Sequence, residues 1–159
     1  LLCLGTGFSP HKKGDLAIKT FYEKGKKLKI NWTRNPTKVA FLKGLAKSNI
    51  EFTGHVSRQC IVEQLSKAKA FIFPGVEDFG IAPLEALASG TPVIALKKGG
   101  AIETLNEEVA IYFSEPSVNG LQDALQKLKS VDFSKKSLIS RARLFSKKSF
   151  INRIESCLN

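Results

Sequence analysis

The chain has 159 residues, of which 43% are hydrophobic and 25% charged, and its net charge is +11. These values are typical of one globular domain with its own core, and they exclude a low-complexity or disordered chain. No apolar run approaches the ~20 residues that a membrane-spanning helix requires. No leader sequence is recognisable and the chain contains no Met, so we expect a cytoplasmic fragment of a longer protein.

The cysteines give no sign of a disulfide framework. Cys3, Cys60 and Cys157 are an odd number of thiols, widely spaced and without a metal-ligand pattern. We therefore expect reduced, buried thiols and no metal site.

Positive charge is concentrated in the first third of the chain. Residues 1–50 contain eleven Lys or Arg against two Asp or Glu, a net charge of +9. Such a surface suits phosphates or an anionic membrane, and a lysine-rich solvated face explains it equally well. Because these lysine stretches carry no interleaved aromatic platform and no recognised nucleic-acid-binding motif, we expect no nucleic-acid partner.

Short apolar segments alternate with helical patterns from the first residues onward. Strands are predicted at residues 1–5, 28–32, 50–53, 70–73, 92–96 and 109–113. Helices are predicted between them, at residues 15–24, 36–48, 57–68, 83–89 and 102–107. The strands show little polar alternation, as expected when both faces of a sheet are covered. The pattern predicts an α/β fold with a doubly wound, Rossmann-like parallel sheet.

Helix ends are marked by particular residues. We expect Asp15 and Ser57 as N-caps, Pro83 in the first turn of its helix, and Gly90 where that helix ends. After the last strand the pattern is helical only, at residues 118–130 and then 134–158, with a break near Ser146. No linker is visible, so residues 1–159 are expected to form one domain with a helical tail at 134–159.

The most informative segment, residues 74–95, combines a strand end, a turn with carboxylates, a short helix and a second strand. Ligands of open parallel sheets bind beyond the carboxyl ends of the strands, where this turn is expected. Gly80 allows a ligand to approach the backbone closely. The amides of Ile81 and Ala82, at a helix start, suit a phosphate.

Two carboxylates border this turn, Glu77 and Glu85, eight positions apart. Ionised carboxylates only accept hydrogen bonds, so the pair suits the vicinal hydroxyls of a ribose or hexose. We expect Glu85 in the first turn of the helix. For either residue alone, a favourable charge at the helix terminus or a solvated loop charge is the better explanation. Their joint occurrence with Phe79, Gly80 and residues 90–93 favours a binding site.

Residues 77–95 resemble the signature of the retaining GT-B glycosyltransferases of family 4, E-x-F-G-x-x-x-x-E-A-x-A-x-G-x-P-V-I-A, which a Gly-Gly loop follows. Weaker similarity covers residues 9–18, 50–56 and 145–150. The resemblance implies the C-terminal, donor-binding half of such an enzyme, with the N-terminal acceptor domain absent from this sequence.

The resemblance also implies roles for particular residues. Glu77 would contact the hydroxyls of the donor sugar, and Lys12 would stabilise the diphosphate leaving group, so these two are the candidate catalytic residues. The donor-binding candidates are Phe79, Gly80, Ile81 and Ala82 around the distal phosphate, Glu85 at the ribose, Gly54, His55 and Val56 at the base, and Gly99 and Gly100 near the sugar. His55 is more readily a loop residue than a catalyst, and a plain turn explains Gly99 and Gly100 equally well. No metal or other cofactor is implied.

Two positions depart from the family pattern. Gly7 stands where the family usually has an Arg that forms a cationic clamp with the lysine, and residues 33–36 replace a common Gly-Asp-Gly turn. Loss of one cation from a desolvated diphosphate site is expected to cost about two or three orders of magnitude in rate. Lys13 is a possible substitute for the missing Arg.

The resemblance implies transfer of a hexose, with GDP-mannose as the expected donor, to a glycan or lipid-linked acceptor. Residues 77–81 most resemble mannosyltransferases of lipopolysaccharide or capsule synthesis. The expected partners are the donor, the acceptor, the protein's own N-terminal domain and, peripherally, the inner face of the membrane; the fragment alone is not expected to be active. One alternative is a non-catalytic nucleotide-sugar-binding module with a degenerate phosphate clamp, as Gly7 indicates. Another is a basic scaffold that docks on an anionic membrane or nucleic acid, which rests on the charge of residues 1–50.

Overall fold

A computed structural model describes residues 2–5, 12–31, 40, 42–44, 46–54 and 56–158. These residues contain six strands: β1 (Leu2–Gly5), β2 (Leu28–Asn31), β3 (Ile50–Gly54), β4 (Phe71–Phe73), β5 (Val93–Leu96) and β6 (Ala110–Phe113). The helices are α1 (Gly14–Lys24), α2 (Arg58–Ser66), α3 (Ile81–Ala88), α4 (Ala101–Thr104), α5 (Val118–Lys127), α6 (Lys135–Arg143) and α7 (Lys147–Leu158). Residues 40 and 42–44, within the helix predicted at 36–48, are helical.

The six strands form one parallel sheet with the order β3-β2-β1-β4-β5-β6. The chain winds outward from β1 to β3, returns to the other side of β1, and then winds outward again from β4 to β6. The predicted doubly wound parallel sheet is therefore confirmed.

A buried cluster covers each face of the sheet. On one face Ile72, Ile94 and Leu96 pack with residues of α1 and α5, such as Phe21 and Leu125. On the other face Phe71, Phe73, Val93 and Ala95 pack with residues of α2, α3 and α6. Because alternate residues of β4 and β5 enter different cores, these strands are apolar throughout and lack the polar alternation of a half-exposed sheet.

The start of α1 differs from the prediction. Asp15 is not the N-cap, because α1 begins one residue earlier and Lys13 occupies the cap position in the left-handed region (φ 47°). Asp15 lies instead in the first turn, where its charge favours the positive end of the helix. Ser57 is the N-cap of α2 as predicted, since its hydroxyl accepts a hydrogen bond from the Cys60 amide at 3.2 Å.

The helix that follows β4 also begins earlier than predicted. It starts at Ile81, and Pro83 is accommodated in the first turn, where a proline needs no amide hydrogen. As a result Glu85 is the fifth residue of α3 and lies in the second turn, so its predicted place in the first turn is wrong. Gly90 follows the end of α3 with φ 79°, as expected.

The C-terminal residues form two helices of different character. Between them lies Ser146, where the break was expected, and its hydroxyl accepts a hydrogen bond from the Ser149 amide at 3.2 Å. Leu138 anchors α6 in the core, whereas no described residue of α7 is buried. Within the described ranges no helix has both the length and the apolar character needed to cross a membrane.

Candidate functional site

The sheet order places a crevice between β1 and β4. The direction of winding reverses between these two strands, and ligands of open parallel sheets bind beyond the carboxyl ends of the strands at such a reversal. Lys12 comes from the connection that follows β1, and Glu77 from the loop that follows β4. Two groups that the sequence singled out separately are therefore directed to one place.

Lys12 and Glu77 form an ion pair in this crevice. The Lys12 Nζ atom lies 3.1 Å from Glu77 Oε1, and the two side chains are only 25% and 24% exposed. The structure thus brings together both residues that were predicted as catalytic. A cation and a carboxylate held this way offer one group for an anionic phosphate and one acceptor for a hydroxyl.

Next to this pair lies the N-terminus of α3. Gly80 occupies its cap position with φ 82°, and an added Cβ atom would lie 3.2 Å from the Phe73 ring. No side chain of the described residues caps this terminus, which leaves the first amides, those of Ile81 and Ala82, without a side-chain acceptor. Uncapped amides at the positive end of a helix are suited to bind an anion.

The turn formed by Gly99 and Gly100 packs against the Glu77 loop. The Gly100 amide donates a hydrogen bond to the Glu77 carbonyl oxygen at 2.8 Å. A Cβ atom on Gly99 would lie 2.7 Å from the same oxygen, and one on Gly100 would clash with the Asp78 carbonyl. The two glycines are therefore required by close backbone packing against the loop, which is a different reason from the approach to a sugar that the resemblance implied.

The second carboxylate of the motif, Glu85, has a cationic neighbour that the sequence analysis missed. Arg58 Nη2 lies 3.9 Å from Glu85 Oε1, with side-chain exposures of 88% and 44%. Arg58 is the first residue of α2, where its charge opposes the positive helix terminus. A cation is unfavourable at the start of a helix. Arg58 could therefore have been recognised in the sequence as a residue with a role other than stabilising α2.

An aromatic contact braces the same loop from the C-terminal helices. The Phe79 ring meets the Phe145 ring edge-on, with 5.9 Å between the centroids. Arg141 lies over the Phe145 ring, with its guanidinium carbon 5.2 Å from the ring centroid. Arg141 also donates hydrogen bonds to the carbonyl oxygens of Thr104 and Glu103, at 2.9 and 2.6 Å. These bonds satisfy carbonyl groups at the end of α4, which stops at Thr104, where Leu105 is extended, and does not reach the predicted residue 107.

The predicted base-binding segment lies farther along the same edge. Gly54 ends β3 with φ 70°, and Val56 is half-buried. Because β3 is three strands away from β4, Gly54 lies about 14 Å along the sheet from the Glu77 loop, at about 4.8 Å per strand. The separation suits an extended ligand and excludes direct contact between the two loops. His55, Gly7 and residues 33–36 lie outside the described residues.

In the described part of the chain, no three side chains of His, Cys, Asp or Glu are grouped so that they could hold a metal ion. Cys60 and Cys157 are free thiols, but the expectation that they are buried is wrong: Cys60 is half-buried and Cys157 is exposed, because each lies on a helix face that is not packed in the core.

Comparison with known proteins identifies a family and several relatives. The family described as glycosyl transferases group 1 matches residues 33–145. The alpha-1,3/1,6-mannosyltransferase ALG2 of Eremothecium gossypii is 36% identical over 75 residues, which are 46% of this chain and 15% of the relative. A GDP-mannose-dependent monoacylated alpha-(1-6)-phosphatidylinositol monomannoside mannosyltransferase of Corynebacterium glutamicum is 34% identical over 88 residues, which are 50% of this chain and 23% of the relative. The matches thus span less than a quarter of the length of these relatives.

Solved structures share the fold. Sucrose-phosphate synthase from Thermosynechococcus elongatus superposes with a TM-score of 0.85 at 20% identity, over 99% of this chain and 44% of its own. Anabaena Alr3699/HepE in complex with UDP and glucose superposes with a TM-score of 0.77 at 18% identity, over 99% of this chain and 47% of its own. At such low identity the likeness shows the fold and carries no statement about what this chain binds.

Proposed function

Because the chain belongs to the family of group 1 glycosyl transferases, we propose that it is the donor-binding half of a retaining mannosyltransferase. The family membership confirms the resemblance that residues 77–95 indicated, and the expected α/β fold of GT-B glycosyltransferases is confirmed by the solved structures. In this proposal GDP-mannose is the donor and a glycan or lipid-linked molecule is the acceptor. The named activities of the matched mannosyltransferases support that choice.

The observation that carries the proposal is the Lys12–Glu77 pair at the reversal of winding, beside the uncapped start of α3. A nucleotide-diphosphate sugar presents an anionic diphosphate next to a hydroxylated ring. When the donor binds, the Lys12 ammonium leaves the Glu77 carboxylate and pairs with the diphosphate instead. Glu77 is then free to accept hydrogen bonds from the sugar hydroxyls, so one ion pair is replaced by two interactions with the donor.

In the reaction, the bond between the sugar's anomeric carbon and the diphosphate oxygen breaks, and its electron pair leaves with the nucleoside diphosphate. The acceptor hydroxyl oxygen bonds to the anomeric carbon on the same face and transfers its proton to the departing phosphate oxygen. Negative charge grows on the leaving phosphate, where Lys12 and the amides of Ile81 and Ala82 stabilise it. Such preorganised donors are worth about 3–4 kcal/mol each in the transition state.

The remaining donor contacts are proposed along the same edge of the sheet. Glu85 accepts hydrogen bonds from the ribose diol, and its partial exposure and weakly held Arg58 partner leave its oxygens accessible. The base lies against Gly54, His55 and Val56, mainly through their backbone. In the whole protein the acceptor domain lies outside the present sequence, at the cytoplasmic face of a membrane.

The proposal is tested by calorimetric titration of the protein with GDP, UDP, ADP and GDP-mannose. We expect saturable binding of GDP and GDP-mannose that weakens in the Glu85→Gln variant. Glu63→Gln is a matched control, because Glu63 is an exposed residue of α2 outside the motif. Equal affinity for all nucleotides, or binding that is unchanged in Glu85→Gln, contradicts the proposed donor site.

A second function, nucleotide-sugar binding without catalysis, is favoured by Gly7, which stands where the family usually has an arginine. Under this alternative the protein binds GDP-mannose but transfers no sugar. The Gly7→Arg variant separates the two functions by turnover: restoring the second cation raises the turnover of an enzyme, whereas a binding module transfers no sugar before or after the change.

A further inference from the structure

A cavity of about 810 Å³ lies at the opposite edge of the sheet from the candidate donor site. Its walls come from the segments that precede β2, β4 and β5, together with the end of α5, the following loop and α6. These are the amino ends of the strands, whereas Glu77, Gly54 and Gly99 follow carboxyl ends. The cavity is therefore separate from the donor site, and its volume lies in the range of about 300–1,000 Å³ that is typical of ligand sites.

Four lysines line this cavity: Lys26, Lys27, Lys69 and Lys129. Within the described ranges none of the four forms an ion pair with Asp or Glu. Burial, and after it the charges of Lys129, Lys24 and Lys69, lower the pKa of Lys26. The lysine charges are thus close enough to repel one another, and an anion in the cavity would relieve that repulsion.

The rest of the lining is apolar and consists of Ala68, Pro92, Leu125, Leu128, Val131, Phe133 and Leu138, with Gly90 completing it. Leu125 and Leu138 are buried in the two cores, while Val131 is 41% exposed at the surface. Hydrocarbon entering the cavity would cover this apolar surface. The lining therefore combines a cationic part and an apolar part in one concave space.

We propose that this cavity binds an anionic amphiphile, namely a phosphate ester that carries an apolar chain, as an anionic phospholipid does. The phosphate lies among Lys26, Lys69 and Lys129, and the first part of the lipid's apolar chain contacts the apolar residues of the lining. An inorganic phosphate would interact only with the lysines, and a neutral lipid would contact only the apolar residues of the lining. The net charge of +11 adds long-range attraction to an anionic surface.

The proposal is tested with three probes on the purified protein. Vesicles of phosphatidylcholine, with and without phosphatidylglycerol, report binding to a bilayer in a flotation assay. Monomeric short-chain phosphatidic acid and inorganic phosphate are titrated separately, with amide chemical shifts as the readout. We expect binding to the anionic vesicles and to the short-chain lipid, shift changes around residues 125–133, and much weaker binding of inorganic phosphate.

Two sets of variants locate the contact. The double variant Lys69→Glu/Lys129→Glu is expected to weaken lipid binding by at least about 30-fold, since each lysine near an anionic surface contributes about a factor of five. Lys98→Glu/Lys148→Glu is the matched control, with the same change in net charge at exposed sites outside the cavity. Val131→Ser is expected to weaken binding of the short-chain lipid while leaving phosphate binding unchanged.

The outcomes decide the proposal in either direction. Selective loss in Lys69→Glu/Lys129→Glu supports the cavity. Equal loss in the control places the contact on general charge or on the exposed helix α7 and overturns it, as does the absence of binding. Inorganic phosphate that binds as tightly as the short-chain lipid, with no effect of Val131→Ser, also overturns it, because the site then recognises a free anion. Shift changes in the donor-site loop instead of residues 125–133 have the same consequence.

Discussion

The Lys12 ammonium and the Glu77 carboxylate lie 3.1 Å apart, although 65 positions separate them in the chain. Their contact depends on β1 and β4 being neighbours at the centre of the sheet, since each residue follows one of these strands. The two charges neutralise each other, and under the proposed function each becomes available when a donor with an anionic and a hydroxylated part enters.

Removal of either charge is expected to separate activity from stability. Lys12→Ala and Glu77→Gln should each lower the rate of sugar transfer by about 10²–10³-fold, because one preorganised group at the reacting centre is lost. The free energy of unfolding should change by less than about 1 kcal/mol, since a partly exposed ion pair contributes little to stability. Transfer assays on the full-length enzyme and urea unfolding measure the two effects. Lys19→Ala, which removes an exposed pair with Asp15 (3.8 Å), should alter neither.

The pair of Glu85 and Arg58 should affect nucleotide binding more than folding. Glu85→Gln is expected to weaken GDP binding by about 10- to 100-fold, because a hydrogen bond to a charged acceptor contributes about 1.5–3 kcal/mol. Arg58→Ala should leave the melting temperature unchanged, since its side chain is 88% exposed and the charges are 3.9 Å apart. Calorimetry and thermal unfolding of both variants provide the measurement. A large loss of stability in Glu85→Gln with unaltered affinity would assign Glu85 a structural role.

The Gly-Gly turn behind the Glu77 loop should tolerate no side chain at its second position. Gly100→Ala is expected to destabilise the protein by about 1–3 kcal/mol, because the new Cβ atom clashes with the Asp78 carbonyl and the backbone must shift. Gly44→Ala is the matched control, since Gly44 is helical and has no atom within 4 Å of an added Cβ. It should be neutral or stabilising by up to about 1 kcal/mol. Thermal unfolding of the two variants compares them, and equal stability would show that the turn is not tightly packed.

Tyr112 is expected to reduce the stability of the protein at alkaline pH. Its hydroxyl donates a hydrogen bond to the Ala101 carbonyl at 3.1 Å. Burial, opposed by Arg141 and assisted by Glu107, raises the pKa of Tyr112 above its ordinary value of 10.0. Between pH 10.0 and the folded-state pKa, the unfolded chain releases a proton that the folded chain keeps, so stability falls as pH rises through this window.

Two measurements check this expectation. In a pH titration followed by tyrosinate absorbance, one tyrosine should ionise at higher pH than an ordinary tyrosine, and this component should disappear in Tyr112→Phe. Urea unfolding below and above pH 10.0 should show a smaller alkaline loss of stability in that variant than in the native protein. Identical pH profiles for the two proteins would contradict the raised pKa.

Local sequence patterns were enough to predict the fold class and the candidate loop. The six strands could be recognised because each is a short apolar segment bounded by polar or turn residues. The loop with Glu77, Gly80 and Glu85 could be recognised because its residues lie within one strand–turn–helix unit. Helix starts were less predictable: a left-handed Lys13 and a proline in a first turn each moved a start toward the N-terminus.

By itself, then, the sequence determined a doubly wound α/β domain and the turn proposed to bind a phosphate, because these features depend on residues that are close along the chain. The tertiary structure decided which distant residues meet: Lys12 with Glu77, Arg58 with Glu85, and Gly100 with the Glu77 backbone. It also brought Arg141 to the carbonyl groups at the end of α4 and assembled the lysine-lined cavity at the opposite edge. These contacts depend on strand order and on the packing of helices across the sheet, and both are set by free energies of burial that no local pattern encodes.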